Sequence, residues 1–285
     1  MSHMAWNLTD DVETFEAAAG GFLRSRPTEH TVLLTVTATL RENGKTAWGD
    51  GPPCFGWWTG AQGAVGGAFL RTPPHPLLLS PLPADAAASL AGLWDTAEPP
   101  PGVNADLATA WAFADAWRDR TGASVSVSRN IRLYRLGALR QPDPMPAGRA
   151  RVGTATDREL LVRWFEAFAA DLGGEETFRA DRQVEDRLGY GGFTLWEVDG
   201  TPVSMAGVTR TVAGTARVAT VYTPAGLRGR GYAGAATAAV SRAALDAGAE
   251  EVVLFTDLAN PTSNALYRRI GYEPVVDRVA LDFDL

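Results

Sequence analysis

The stretch Val221-Tyr222-Thr223-Pro224-Ala225-Gly226-Leu227-Arg228-Gly229-Arg230-Gly231-Tyr232-Ala233 decides how this chain is read. An apolar strand runs into a turn rich in arginine and glycine, and an alanine-rich helical segment follows. The start of a helix leaves its first backbone N–H groups unpaired, and the helix dipole adds positive potential where they point. A strand, such a turn and a fresh helix therefore make a cradle for an anion. Gly229 and Gly231 let a phosphate oxygen approach the main chain, because no Cβ stands in the way. Arg228 and Arg230 supply charge-assisted contacts to the same group. The pattern reads as a pyrophosphate site.

Two common pyrophosphate loops do not fit. A P-loop needs G-x-x-x-x-G-K-[ST], and this turn has no lysine and no Ser/Thr at those places. Gly229-x-Gly231-x-x-Gly234 matches the glycine spacing of a dinucleotide-binding turn. That turn, however, opens a βαβ fold, and here it follows Pro224 and lies near the C-terminus, with little chain left for further strands.

The next segments narrow the choice. Residues 251–257 (E-V-V-L-F-T-D) read as a short buried strand. Asn260-Pro261-Thr262-Ser263-Asn264-Ala265-Leu266-Tyr267-Arg268-Arg269-Ile270-Gly271-Tyr272 follows, with Asn260 as a natural N-cap, Pro261 suited to the first helical turn and Gly271 as a stop. In this order the two motifs resemble the GNAT superfamily of N-acetyltransferases, which use acetyl-coenzyme A. Arg228-x-x-Gly231-x-Ala233 matches the family's pyrophosphate loop, [QR]-x-x-G-x-[GA]. Asp257 and Asn260 through Tyr272 match its D-x-x-N-x-x-[SA]-x-x-x-Y-x-x-x-G-[FY] block. The resemblance covers 149 to the C-terminus.

The resemblance implies a set of roles that the residues permit. A pantetheine arm is peptide-like, so the backbone of Val221, Tyr222 and Thr223 can pair with it as an added strand would, provided the strand at 252–256 splays away. The loop Arg228, Gly229, Arg230, Gly231, Tyr232 and Ala233 would hold the diphosphate, and Asn260 and Ser263 would meet the arm. Tyr267 stands seven residues beyond Asn260, two turns on and on the same helical face, which suits the family's use of a tyrosine as acid to the departing thiolate. The family often places a glutamate on the strand before the cradle. The strand at 215–222 carries no acid, which departs from that pattern; Glu197 and Asp257 are the substitute candidates for a base.

The 285 residues suffice for two domains, and a 46% hydrophobic content fits ordinary globular cores. A formal net charge of -7, with no basic cluster interleaved with aromatics, argues against nucleic acid as a partner. One cysteine, Cys54, excludes an internal disulfide, and no apolar run approaches the roughly 20 residues of a membrane span. The opening Met1-Ser2-His3-Met4 lacks the charged and apolar regions of a secretory signal, so a cytoplasmic location is expected. The three histidines, His3, His30 and His75, all precede the cradle by more than a hundred residues. Chemistry near Gly231 is thus expected to run on carboxylates, tyrosine, backbone and water, without metal.

Alternate prolines in Gln141-Pro142-Asp143-Pro144-Met145-Pro146-Ala147-Gly148 cannot continue helix or central strand and mark a linker. After it the expected order is a strand at 150–153, a helix at 157–172 capped by Thr156, and a helix at 175–188. A hairpin of 192–198 and 203–211 turns at Asp199-Gly200. The strand at 215–222, a helix at 231–247, the strand at 251–257, the helix after Asn260 and a closing strand at 275–285 complete the GNAT order.

The first half echoes this order. Helices at 11–24 and 28–42 precede a strand pair at 54–59 and 64–71, then Leu77-Leu78-Leu79-Ser80-Pro81, a strand near 102–104, a helix at 105–120 and a strand at 124–136. Phe55 and Trp58 repeat the spacing of Phe193 and Trp196. Beyond Pro81 the segment Leu82-Pro83-Ala84-Asp85 has no glycine or arginine, and Asp85 near a helix start would repel phosphate. The expected architecture is therefore α/β: two GNAT-like domains in tandem, each a mixed, mostly antiparallel sheet flanked by helices. Residues 1–140 form a degenerate domain without coenzyme site, 141–148 a linker, and 149–285 the catalytic domain.

The resemblance implies an amine acceptor, on a small molecule or a peptide N-terminus, and Glu166, Asp171, Glu175, Glu176 and Asp181 on the acceptor-side helices would favour a cationic one. Two other readings stay open at this point: an acyl-coenzyme A binding or regulatory protein without turnover, and a tandem biosynthetic enzyme resembling mycothiol synthase. Oligomeric state is not legible.

Overall fold

The structure, a computed structural model, describes residues 4–94, 98–173 and 180–284. In chain order its elements are β1 (Ala5–Thr9), α1 (Val12–Arg24), α2 (Thr31–Asn43), β2 (Cys54–Thr59), β3 (Val65–Arg71), β4 (Leu77–Leu79), α3 (Ala84–Leu93), β5 (Gly102–Asp106), α4 (Leu107–Thr121) and β6 (Ser124–Leu136). There follow β7 (Arg149–Val152), α5 (Arg158–Asp171), α6 (Ala180–Gly189), β8 (Phe193–Val198), β9 (Thr201–Val208), β10 (Thr215–Tyr222), α7 (Tyr232–Asp246), β11 (Glu251–Asp257), α8 (Pro261–Arg269) and β12 (Tyr272–Asp284). They form two compact units: Met1–Leu133 with Asp257–Ala259 and Val275–Leu285, and Tyr134–Thr256 with Asn260–Pro274.

In the first unit the strands stand in the order β1-β2-β3-β4-β5-β12. Pairing is antiparallel from β1 to β4, parallel between β4 and β5, and antiparallel between β5 and β12. Phe69, Leu77, Val103 and Trp117 are fully buried together with Val279 and Leu281 of β12. This differs from the expected division, which kept 275–285 with the second half. The alternating apolar residues of that strand are buried against β5, so its closing stretch belongs to the first unit. Side-chain caps set the helix starts: Asp11 Oδ2 accepts from Thr14 N at 2.7 Å and Asp106 Oδ1 from Thr109 N at 3.1 Å. Asp106 as cap explains why α4 begins at Leu107 rather than 105.

In the second unit the order is β11-β10-β9-β8-β7, parallel between β10 and β11 and antiparallel elsewhere. The hairpin turns at Asp199 and Gly200, with φ of 48° and 78°, the left-handed pair that a tight two-residue turn requires. One apolar cluster includes Val218, Ala235, Val252, Leu254, Tyr267 and Tyr272. Another gathers Leu161, Phe165, Val184, Phe193, Leu195 and Met205. The start of α5 corrects the expected cap. Thr154 and Asp157 form a reciprocal capping box around a short 3-10 turn, and Thr156 lies inside that turn. The expected helix at 175–188 is observed from Ala180; Glu175 and Glu176 lie outside the described residues.

Candidate active site

The site in the second unit starts where two parallel strands stop pairing. The β10–β11 ladder runs from Thr215↔Glu251 to Val218↔Leu254 and goes no further. Just past that point β10 carries a bulge: its register with β9 shifts between Ala219 and Val221, and Thr220 sits at φ 66°. A bulge leaves its extra residue outside the ladder and re-aims the backbone, and a left-handed threonine costs on the order of 1 kcal/mol. Val221, Tyr222 and Thr223 therefore present a strand edge to which β11 is not paired, as the slot for an extended ligand requires. Ser204 fixes the end of this edge: its Oγ donates to Tyr222 O at 3.0 Å and lies 2.8 Å from Thr223 Oγ1.

Beyond the edge, a 3-10 turn over Ala225–Leu227 leads to Gly229 at φ 78° and Gly231 at φ 83°. Gly231 is the N-cap of α7, and no side chain among the described residues caps that helix. The first amides of α7 thus keep their donors for a ligand. A left-handed cap explains the glycine at 231 more directly than ligand approach alone. The expected linker is adjacent: Pro146 carbons lie 3.6 Å from where a Cβ on Gly231 would stand, and Pro142 Cγ lies 3.7 Å from the same position on Gly234.

The two arginines of the turn are engaged. Arg228 donates from Nε to Thr223 O at 2.9 Å and from Nη2 to Asp171 Oδ2 at 2.5 Å, with its guanidinium 5.8 Å from the Tyr222 ring centre. Arg230 reaches Gly226 O at 3.4 Å and is exposed. Tyr232 is partly buried against the apolar cluster that holds Tyr267, as are Val221 and Leu227. Ala233, one residue further along α7, is half-buried.

Helix α8 is built as its sequence dictates. Asn260 Oδ1 accepts from Ser263 N at 3.0 Å, and Pro261 occupies the first turn. Asn264 Nδ2 donates to Asn260 O at 2.8 Å, and Tyr134 OH donates to Asn264 Oδ1 at 2.9 Å. Tyr267 is 7% exposed, and its hydroxyl makes no hydrogen bond among the described residues. Burial pushes the Tyr267 phenol up to about 12, so it is protonated and a donor throughout the neutral range.

The two candidate bases sit in ion-pair and turn networks. Glu197 is buried on β8 and accepts from Arg151 Nε at 2.9 Å; the same guanidinium donates to both Asp157 oxygens at 2.7 and 2.8 Å. Asp157 is held down to about 2, chiefly by the Arg151 hydrogen bonds. Asp257, grouped with the first unit, accepts from Ala259 N at 2.7 Å and lies 3.8 Å from Arg129 Nε. Sequence reasoning missed three features: the Thr220 bulge, the Asp171 partner of Arg228, and the prolines against α7. Only the prolines carried a signal, since they border the motif region and cannot enter a helix.

The corresponding place in the first unit is filled. There β4 and β5 pair in parallel at Leu77↔Val103 and Leu78↔Asn104. The buried Arg278 donates to Leu79 O at 3.4 Å, to Asn104 O at 3.1 Å and to Asn104 Oδ1 at 3.2 Å, lying between the two strands. Leu82 takes the space above Gly67, where an added Cβ would meet Leu82 Cδ2 at 1.9 Å, and Leu82 N donates to the Thr109 hydroxyl at 2.9 Å. The chain that would need to form a cradle is spent on packing.

Residues 158–272 match the family model for the acetyltransferase (GNAT) family. These residues form a GNAT acetyltransferase domain. It contains α5 through α8, the bulge, the cradle and Tyr267. Structures similar to the whole chain extend the GNAT fold over both units. A Drosophila protein superposes with a TM-score of 0.63 at 15% identity, covering 99% of this chain and 98% of its own. A GNAT-family acetyltransferase from Colwellia psychrerythraea gives 0.61 at 9% identity, with 98% of each chain covered. A GCN5-related N-acetyltransferase from Sphaerobacter thermophilus gives 0.60 at 18%, covering 98% of this chain and 95% of its own. Likeness at these identities establishes fold, while the family match supports acyl transfer as the general activity. None of the curated proteins matches the chain by sequence. Among the described residues no helix is long and apolar enough to cross a membrane, and no cluster of three His, Cys, Asp or Glu is placed to hold a metal ion.

Proposed function

We propose that this protein transfers an acetyl group from acetyl-coenzyme A to an amine by direct attack, with Tyr267 as general acid. The observation that carries the reading is the end of the β10–β11 ladder at Val218 and Leu254, beside the helix start at Gly231, which no side chain among the described residues caps. That arrangement fits an extended arm ending in a diphosphate: the backbone of Val221–Thr223 would take the arm, and the amides from Gly229 to Ala233 the phosphates. Arg228 would join them by exchanging Asp171 for a phosphate oxygen. Asn260 and Ser263 flank the arm at the head of α8. The bound donor supplies an activated acyl carbon in a thioester.

The amine nitrogen forms the new C–N bond as the C–S bond breaks. Tyr267 gives its phenolic proton to the departing sulfur and recovers one from the attacking amine by way of solvent. A phenol kept neutral by burial suits this role. The acid-free β10 and the pairing of Glu197 with Arg151 support a substrate amine that arrives already neutral.

These same two features favour a second reading, an acyl-coenzyme A binding protein without turnover. A screen of small amines and peptide N-termini with thiol detection separates the two readings. Thiol release dependent on amine supports the enzyme. Tight coenzyme binding without release by any amine supports the sensor. A mycothiol-synthase-like role is tested by the same screen with amino-sugar acceptors.

A further inference from the structure

At the end of β10 away from the cradle, one buried and one half-buried arginine have no carboxylate bound to either among the described residues. Arg187, near the end of α6, is 9% exposed, with its guanidinium 5.2 Å from the Phe165 ring centre and 5.9 Å from that of Phe193. Its Nη1 donates to the neutral Gln183 Oε1 at 3.3 Å, Tyr190 and Asp186 are the polar groups that act on it, and its buried Nε has no partner among the described residues. Arg217, on β10, is half-buried and its Nη1 also lacks a partner among the described residues. Two residues earlier on the same face of the strand, Thr215 is 1% exposed with an unpartnered hydroxyl.

The neighbouring groups define one locality. Tyr190 follows α6, donates its hydroxyl to Val208 O at 2.9 Å and carries Arg210 stacked 4.2 Å from its ring centre. Arg210 is paired with Asp186 at 2.7 Å. Arg217 N donates to the Thr209 hydroxyl at 3.0 Å, tying β10 to the end of β9. Burial, and after it repulsion from Arg187, pulls the Arg217 guanidinium down to about 10. Native proteins pair or ligate buried charge, since an isolated ion in low dielectric is strongly penalised.

We propose that Arg187, Arg217 and the Thr215 hydroxyl form a binding site for a small oxyanion that ties α6 to β10. The site has two positive groups with free N–H donors, a hydroxyl and aromatic walls, which suits phosphate, sulfate or a small carboxylate. It is separate from the cradle: Arg217 precedes Tyr222 by five residues, about 16 Å along a strand.

The test measures thermal unfolding against phosphate, sulfate and acetate at constant ionic strength, with chloride as the reference. The expected result is a saturable rise of the midpoint, about 3 °C once an anion stands tenfold above its Kd. Arg217→Met should abolish that rise, whereas Arg228→Gln, which alters only the cradle, should keep it. Without anion, Arg217→Met should unfold no lower than the parent, because an uncompensated charge is gone. Absence of a saturable rise with all three anions, or an undiminished rise in Arg217→Met, overturns the proposal. Should the variant fail to fold, calorimetry of the parent and of Arg228→Gln with phosphate decides: saturable heat in both supports the site, and its absence from Arg228→Gln overturns it.

Discussion

The ring of Tyr267 meets that of Tyr272 edge-on at 65°, with centres 6.1 Å apart, and Tyr272 in turn bonds the Ser241 hydroxyl at 2.7 Å. The second tyrosine is anchored through its own oxygen, while the first keeps its hydroxyl uncommitted. Helix α8 thus holds the proposed acid rigidly by its ring alone. Tyr267→Phe should lower kcat by about a hundredfold and leave the coenzyme Kd nearly unchanged, since a positioned acid contributes on this order. Steady-state thiol release and calorimetry measure the two quantities, and equal turnover by both proteins removes Tyr267 as the acid.

The raised Tyr267 pKa also has a stability signature. The folded protein keeps this proton up to about 12, while the unfolded chain releases it near the ordinary tyrosine value of about 10. The stabilisation is therefore complete below about pH 10 and is lost as pH rises through 12. Midpoints recorded from neutral to alkaline pH should fall across that window, and Tyr267→Phe should flatten part of the fall. A parallel decline in both proteins would sink this assignment.

Gly231→Val should abolish coenzyme binding with the helix content retained. A β-branched residue at φ 83° is strained, and its Cβ would already stand in contact with Pro146 at 3.6 Å. Calorimetry with coenzyme A and circular dichroism together check it; undiminished binding contradicts the cradle.

Arg228 and Asp171 are each about half exposed, so their ion pair is worth no more than about 1 kcal/mol. Asp171→Asn should free the guanidinium and tighten coenzyme binding by up to about fivefold at low salt, the gain fading as salt rises. Arg228→Gln should weaken binding. Titrations of the two variants at two ionic strengths are the measurement, and a weaker-binding Asp171→Asn would assign the carboxylate a positioning role instead.

The Arg151 network governs acid stability. Asp157, held at about 2, stabilises the fold above the unfolded value near 3.9, and that contribution disappears as pH falls toward 2. Arg151→Met should raise the pH midpoint of acid unfolding. Glu197→Gln should lower thermal stability and leave the acid limb of the kcat/KM profile in place; a displaced limb assigns the base to Glu197.

The legible parts of this molecule are those where backbone geometry restricts residue choice. Gly231 is needed for a left-handed cap, Asn260 and Pro261 for a helix start, and Asp199-Gly200 for a tight turn, so each could be placed from the sequence. The bulge at Thr220 could not, because Thr-Ala-Arg-Val-Ala-Thr-Val-Tyr reads as strand at every position and no glycine betrays the left-handed residue. Nor could the partner of Arg228, since Asp171 lies 57 residues away and salt bridges leave no periodic trace. The anion site was invisible for the same reason: buried arginines look like surface ones until α6 and β10 are placed. The lack of glycines after Pro81 was readable in the first half, but the position of Arg278 against Leu79 and Asn104 was not.

The seating of Val279 and Leu281 against β5 has a practical corollary. Cleaving the gene within 141–148 would strand the leading fragment without its sixth ribbon, baring the β5 backbone to whatever polymer drifts past. Expressed apart, the leading piece should precipitate, and a synthetic peptide of the last eleven residues should rescue it.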